Sequence, residues 1–295
     1  MTQTRGYIYG FIAMFGFGGT FIAIALAKEG FDPTIAGVGR IIPAGIGAII
    51  GLKLAGKTLL PPRAAWKWVA ILAAGNIIAY PILTTLALQT VPVGDAGIII
   101  SLGPLITAGT ATLYGHKRPR AAFWIAASIG TVAAIAFAIT RSSSGSFSGG
   151  GSIWGYVLVA IGMVLASNAH IAGGTLVQRG YPAFPVIMWA IVISLPILVP
   201  ITIVDLINHP ITQMPSATAW FGLLWLGLFS IFIGHYFWNS ALASIGIVKG
   251  SQLQLTQPVF TLLLAVLVLH EALSPLSIIA AVVIIGSVAV SQRLK

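Results

Sequence analysis

Ala87-Leu88-Gln89 opens a stretch that runs through Ser101-Leu102-Gly103-Pro104-Leu105-Ile106-Thr107 to His116. Ala241-Leu242-Ala243 opens another, which runs through Leu255-Thr256-Gln257-Pro258-Val259-Phe260-Thr261 to His270. A fixed shift of 154 residues lays Ala87 on Ala241, Pro104 on Pro258, Thr107 on Thr261, Leu113 on Leu267 and His116 on His270. Trp66 and Trp220 fall in the same register. Both stretches are long, apolar and interrupted by proline near the middle. Proline lacks a backbone N–H and clashes with the carbonyl four residues back, so each helix kinks or breaks there. Matched interruptions in two halves of a membrane chain point to a site near the midplane.

Composition places the chain in a bilayer. Of its 295 residues 58% are hydrophobic and 7% charged, and the mean hydropathy is +1.01. A soluble domain carries about 25% charge. There is no cysteine, which excludes disulfides and thiolate metal sites. Gly6–Ala27 is too long for a signal-peptide core and lacks a cleavage-like exit, so it reads as a retained span.

A spanning helix needs about 20 mostly apolar residues. Ten such stretches can be read: Gly6–Ala27, Thr34–Leu54, Ala65–Leu88, Gly94–Tyr114, Ala121–Thr140, Ile153–Val177, Ala183–Asp205, Ala217–Leu242, Ile247–Leu269 and Pro275–Ser291. A Gly/Ser linker, 142–152, follows the fifth and divides the chain into a first repeat, 1–141, and a second, 153–295. The expected fold is an all-α membrane bundle around a central cavity.

The loop charges agree with that count. Arg5, Lys53, Lys57, Arg63, Lys67, Lys117, Arg118, Arg120, Arg179, Lys249, Arg293 and Lys295 fall on one side. The other side has Lys28 and Arg141, with the acids Glu29, Asp32, Asp95, Asp205 and Glu271. By the positive-inside rule both termini are cytoplasmic. The net charge of +10 is therefore spent on membrane orientation, and no nucleic-acid partner is expected. An odd number of spans per half implies that the halves insert oppositely, as inverted repeats.

Polar side chains inside hydrocarbon must face one another, a cavity or water. Asn76, Tyr80 and Thr84 recur every fourth residue beside Pro81. The eighth span offers His235, Trp238 and Asn239, the ninth Gln254, Gln257 and Thr261 around Pro258, and the sixth Ser167, Asn168 and His170. Singly, each suits interhelical bonding as well as a cavity wall. Two glutamines and a proline on one face exceed what packing needs, so the set favours a cavity. Arg40 is the cation inside a span, and its guanidinium fork suits a carboxylate, although it could equally cap backbone carbonyls. Trp189 stands seven residues after Pro182, as Arg40 stands after Pro33.

The sequence places no Asp or Glu within a span core, which disfavours a carboxylate-based proton/drug antiporter and fits downhill export. It also lacks His-Glu-x-x-His, Gly-x-Ser-x-Gly and a mid-span lysine, so neither an enzyme, a cofactor nor a metal is expected.

Pro33…Arg40, the mid-span Pro104 and Pro258, His270-Glu271 closing span nine, and Gly130 and Gly286 together resemble the drug/metabolite transporter superfamily, specifically EamA-type exporters of two five-helix repeats. Within it the chain is most similar to YddG-type bacterial aromatic amino-acid exporters. Lys117 departs from the glutamate that often closes span four in that family. The resemblance implies that spans one to four and six to nine surround the cavity, with five and ten at the edge. It also implies movement of small metabolites out of the cytoplasm by alternating access. The expected protein is a monomeric inner-membrane exporter of amino acids, aromatic ones favoured, with Pro81, Pro104 and Pro258 as hinges; a carrier of a nucleotide sugar or cationic drug on the same fold, and a non-transporting scaffold or sensor, are the alternatives.

Overall fold

A computed structural model describes residues 3–87, 89–91, 99–114, 120–141, 152–269 and 275–293. His116, Lys117, Arg118, Asp95, His270, Glu271 and most of the Gly/Ser linker lie outside them. The described chain is helical: α1 (Gln3–Ala27), α2 (Ile35–Leu54), α3 (Arg63–Ala87), α4 (Gly103–Leu113), α5 (Ala121–Arg141), α6 (Ile153–Gln178), α7 (Ala183–Asn208), α8 (Ala217–Ile245), α9 (Ile247–Val268) and α10 (Pro275–Arg293). Seven of these, α1 to α3 and α6 to α9, are long and apolar enough to cross a membrane.

Each helix sorts its side chains by face. On α2, Ile41, Ala44, Ala48 and Leu52 are buried, whereas Ile42, Ile46 and Ile50 are exposed one residue round the helix. Isoleucine on the outside is expected where the solvent is lipid rather than water. The same apolar outer face recurs on α5 (Ile125, Ile129, Val132) and α10 (Ile278, Ile279, Val282, Val283).

Helix pairing repeats with an offset of five helices. α1 packs on α8 and α9, and α6 packs on α3 and α4; α2 lies against α7, and α5 against α10. Local irregularities follow the same register. α3 widens into a π-helical stretch at Ala73–Ala79, which ends with Tyr80 N–H donating to Gly75 O. α8 widens at Trp225–Ile233, and there Gly234 N–H donates to Phe229 O. Tyr80 and Gly234 are 154 residues apart, the shift found in the sequence.

Each of the three prolines adjoins a helix interruption. Pro104 lies in the first turn of α4, after a turn at Ser101–Leu102. Pro258 is the second α-helical residue after a 3₁₀ stretch, Gln252–Thr256. Pro81 likewise follows the π stretch of α3. Pro104, in a first turn, sacrifices no intrahelical hydrogen bond, whereas Pro81 and Pro258 lie inside α3 and α9, each directly after the irregular stretch that carries the interruption.

Close contacts between helix backbones are made through glycine. A Cβ on Gly75 would lie 2.3 Å from Leu165 O of α6, and one on Gly222 2.5 Å from Ala23 O of α1. Nothing lies within 4 Å of a Cβ on Gly286. Gly75→Ala is therefore expected to cost about 1–3 kcal/mol by forcing α3 from α6. Gly286→Ala is expected to stay within about 0.5 kcal/mol. Thermal unfolding of the detergent-solubilised protein checks both.

Candidate functional site

The π stretch of α8 leaves carbonyls without helical donors, and a side chain one turn later takes them up. His235 Nδ1 lies 3.1 Å from Ser230 O and 2.9 Å from Ile231 O. Carbonyls only accept, so Nδ1 carries the hydrogen and Nε2 of the neutral ring keeps its lone pair. His170 of α6 has the opposite arrangement. Its Nδ1 accepts from Gln254 Nε2 at 3.0 Å, which leaves Nε2 as the donor of the neutral ring. The two rings stand 6.1 Å apart. Trp238 packs edge-on to His170 at 5.5 Å, and Phe17 of α1 edge-on to His235 at 4.9 Å.

Arg40 and Tyr80 belong to the same neighbourhood. Arg40 lies within electrostatic reach of both Tyr80 and His235. It is buried, and its Nε has no hydrogen-bond partner among the described residues. Among the described residues other buried atoms are also unpartnered: Asn76 Nδ2, Trp238 Nε1, both amide atoms of Asn239, and Gln254 Oε1. Asn239 is fully buried against Gly173, where a Cβ would come within 2.4 Å of its Oδ1. Thus α6, α8 and α9 bring two imidazoles, an indole and amides together, with Arg40 of α2 within electrostatic reach.

Other sequence-predicted residues bond elsewhere. Asn168 donates to Val164 O at 2.7 Å and accepts from Tyr114 OH at 3.0 Å, tying α6 to the end of α4. Trp189 Nε1 donates to Thr58 O at 2.8 Å, which places it at the α2–α3 connection, away from the imidazoles. Thr84 returns its hydroxyl to Tyr80 O at 2.6 Å. Gln257 and Thr261 bond Phe17 O and Gly18 O, at 3.4 and 3.0 Å, and join α9 to α1. Ser167 Oγ accepts from Thr107 Oγ1 at 3.1 Å.

A separate cavity of about 530 Å³ is lined by Tyr9, Val177, Gln178, Pro182, Ala183, Phe184, Tyr236, Ser240, Ala243 and Ser244. Sequence reasoning missed this lining and missed Phe17. Apolar and aromatic residues on spans look alike whether they meet lipid or a cavity. The signal available was the i, i+4, i+8 row of Tyr236, Ser240 and Ser244.

Among the described residues one grouping has metal-ligand chemistry. Asp32, Asp205 and His209 bring donor atoms within 4.8 Å of one another at the end of the bundle. His209 Nδ1 already pairs with Asp205 Oδ1 at 3.3 Å. It is remote in sequence and chemistry from the imidazole region.

The sequence profile of the EamA-like transporter family matches this chain twice, over residues 4–139 and 153–292. The chain belongs to the EamA-like transporter family. It is 34% identical over 290 residues to the uncharacterized transporter YdeK of Bacillus subtilis, covering 98% of each chain. It is 27% identical over 276 residues to the uncharacterized inner membrane transporter YedA of Escherichia coli, covering 92% of this chain and 85% of that one. A solved crystal structure of 19% sequence identity shares the fold, with a TM-score of 0.76 over 99% of this chain and 97% of that chain. This EamA-like protein is accordingly a membrane-spanning transporter built on a repeated domain.

For such a transporter, unpartnered buried amides are a cost carried in the resting protein. Asn239→Leu should leave thermal stability unchanged or raise it by about 1–2 kcal/mol, because two unbonded polar atoms disappear. The same variant should transport more slowly, in keeping with a trade between function and stability. Melting and vesicle flux on one preparation check the pair.

Proposed function

We propose that this EamA-like transporter exports amino acids, aromatic ones favoured, from the cytoplasm across the inner membrane. The observation that supports this best is a buried guanidinium, Arg40, whose Nε has no partner among the described residues, within electrostatic reach of His235, together with acceptors in the same set of side chains: Gln254 Oε1, buried and without a partner among those residues, and the lone pair of His235 Nε2. A zwitterion supplies both missing partners. Its carboxylate suits the fork of Arg40, and its ammonium suits imidazole and amide acceptors. Phe17 and Trp238 offer edges and faces to an aromatic side chain. Asn76, Tyr80, His170 and Asn239 complete the site, and Gln257 and Thr261 join α9 to α1 beside it; Thr84, Asn168 and Trp189 are bonded elsewhere.

In this reading the chain spans the bilayer ten times with both termini in the cytoplasm. Residues 1–141 and 153–295 form the two halves, joined by 142–152 and inserted in opposite senses. The offset pairing of helices and the matched π stretches support that arrangement. Rocking of the halves at the irregular turns before Pro81, Pro104 and Pro258 exposes the site to one face and then the other. The transporter acts as a monomer, and its partners are the small substrate and lipid. A nucleotide sugar would call for more than one buried cation, and a cationic drug for a buried acid. Arg40 alone satisfies neither requirement.

Purified protein in proteoliposomes, offered a panel of amino acids, a nucleotide sugar and a cationic drug, tests the reading. Tryptophan and phenylalanine are expected to move faster than alanine, with no flux of the other two classes. Arg40→Gln should slow tryptophan transport by about tenfold or more, as loss of a charge-assisted bidentate bond implies. Tryptophanamide, which has no carboxylate for Arg40 to hold, should move more slowly than tryptophan in the wild type and lose nothing in the variant. Flux of the drug or nucleotide sugar without amino-acid flux would refute the proposal.

A further inference from the structure

Two rows of side chains run along the second half of α8. His235, Trp238 and Asn239 serve the polar region, whereas Tyr236, Ser240, Ala243 and Ser244 line the separate cavity of about 530 Å³. The rows diverge because neighbouring helical residues point about 100° apart. Across the cavity stand Tyr9 from the start of α1 and Phe184 from the first turn of α7.

The chemistry of this lining is specific. Phe184 meets Tyr236 edge-on at 6.1 Å, and Tyr9 lies 6.4 Å from Tyr236 at a tilt. Beyond Tyr236 the same row of α8 continues with the small residues Ser240, Ala243 and Ser244, which leave room for a planar group. Ser240 directs its hydroxyl to Tyr236 O at 2.8 Å. Gln178 supplies an amide, whose Nε2 makes a long 3.5 Å contact to Leu242 O. An aromatic wall, a row of small residues and an amide suit a flat ring attached to a polar group. The volume lies within the range of small-molecule pockets, about 300–1,000 Å³.

We infer that this cavity is a second substrate subsite, which receives the ring of an aromatic amino acid at the end of the bundle near Arg5 and Arg179. The inference rests on the amino-acid reading above and adds a loading position one helix face away from His235.

The chain has no cysteine, so one introduced thiol reports on the cavity alone. Ala243→Cys in membrane vesicles is treated with a maleimide, alone or with L-tryptophan or L-alanine. L-Tryptophan should slow labelling about fivefold, the scale of ring–ring contacts, and L-alanine should leave it unchanged. Phe184→Ala in the same background should keep the labelling and lose the protection. Ser240→Cys gives a second reporter should Ala243→Cys fail to accumulate in the membrane. Labelling unaffected by tryptophan, or slowed equally by both amino acids, overturns the subsite. The flux panel judges the export reading separately: protection without flux upholds the cavity and refutes that reading, and flux without protection does the reverse.

Discussion

In hydrocarbon there is no water to satisfy a polar group, and this constraint shapes the whole molecule. Backbone N–H and C=O groups are closed inside helices, and apolar side chains turn outward. The exposed isoleucines of α2, α5 and α10 follow from that rule. So does the use of glycine where two helix backbones meet, as at Gly75 and Gly222. Most side-chain hydroxyls in the spans comply by bonding carbonyls within one turn, as Ser194 and Thr202 do at 2.7 and 2.8 Å.

The middle of the bundle breaks the rule repeatedly. A buried arginine on a spanning helix costs about 2.5–3.5 kcal/mol even by the mildest scale. Each unpartnered buried donor or acceptor adds about 1–3 kcal/mol. Against a total stability of about 5–15 kcal/mol, several such groups are a large penalty. Packing alone would favour leucine at Asn239. The polar groups also converge from both halves of the chain, which is where a family of transporters with a repeated domain can form a site between its repeats.

Much of the architecture could be read from residues alone. Hydrophobic runs located most of the helices to within a few positions, since length and apolarity decide what crosses a bilayer; the fourth, expected over Gly94–Tyr114, is described only from Gly103 to Leu113, after a turn at Ser101–Leu102. The 154-residue shift reappears in the paired π stretches, although no sequence rule announced a π turn. Prolines marked the interruptions, but not that the irregular turn comes first and the proline follows it. That order depends on how the preceding carbonyls are satisfied, which the next helix decides.

The site was harder to read for a physical reason. A polar residue on a span shows that it needs a partner, not which partner it finds. His170, His235, Trp238 and Gln254 found each other, whereas Trp189 found a loop carbonyl 131 positions away and Asn168 found Tyr114. Phe17, Tyr9 and Phe184 carried no signal, because a ring beside a cavity and a ring beside lipid obey the same hydropathy. The central claim is that the polar groups of the bundle's middle face a space that water and substrate reach. Modification of Gln254→Cys by a small charged methanethiosulfonate tests it most directly, with Leu253→Cys as the apolar neighbour. Rapid modification at Gln254→Cys, slowed by substrate, with little at Leu253→Cys, is the result expected; an inert thiol at both positions would contradict the account.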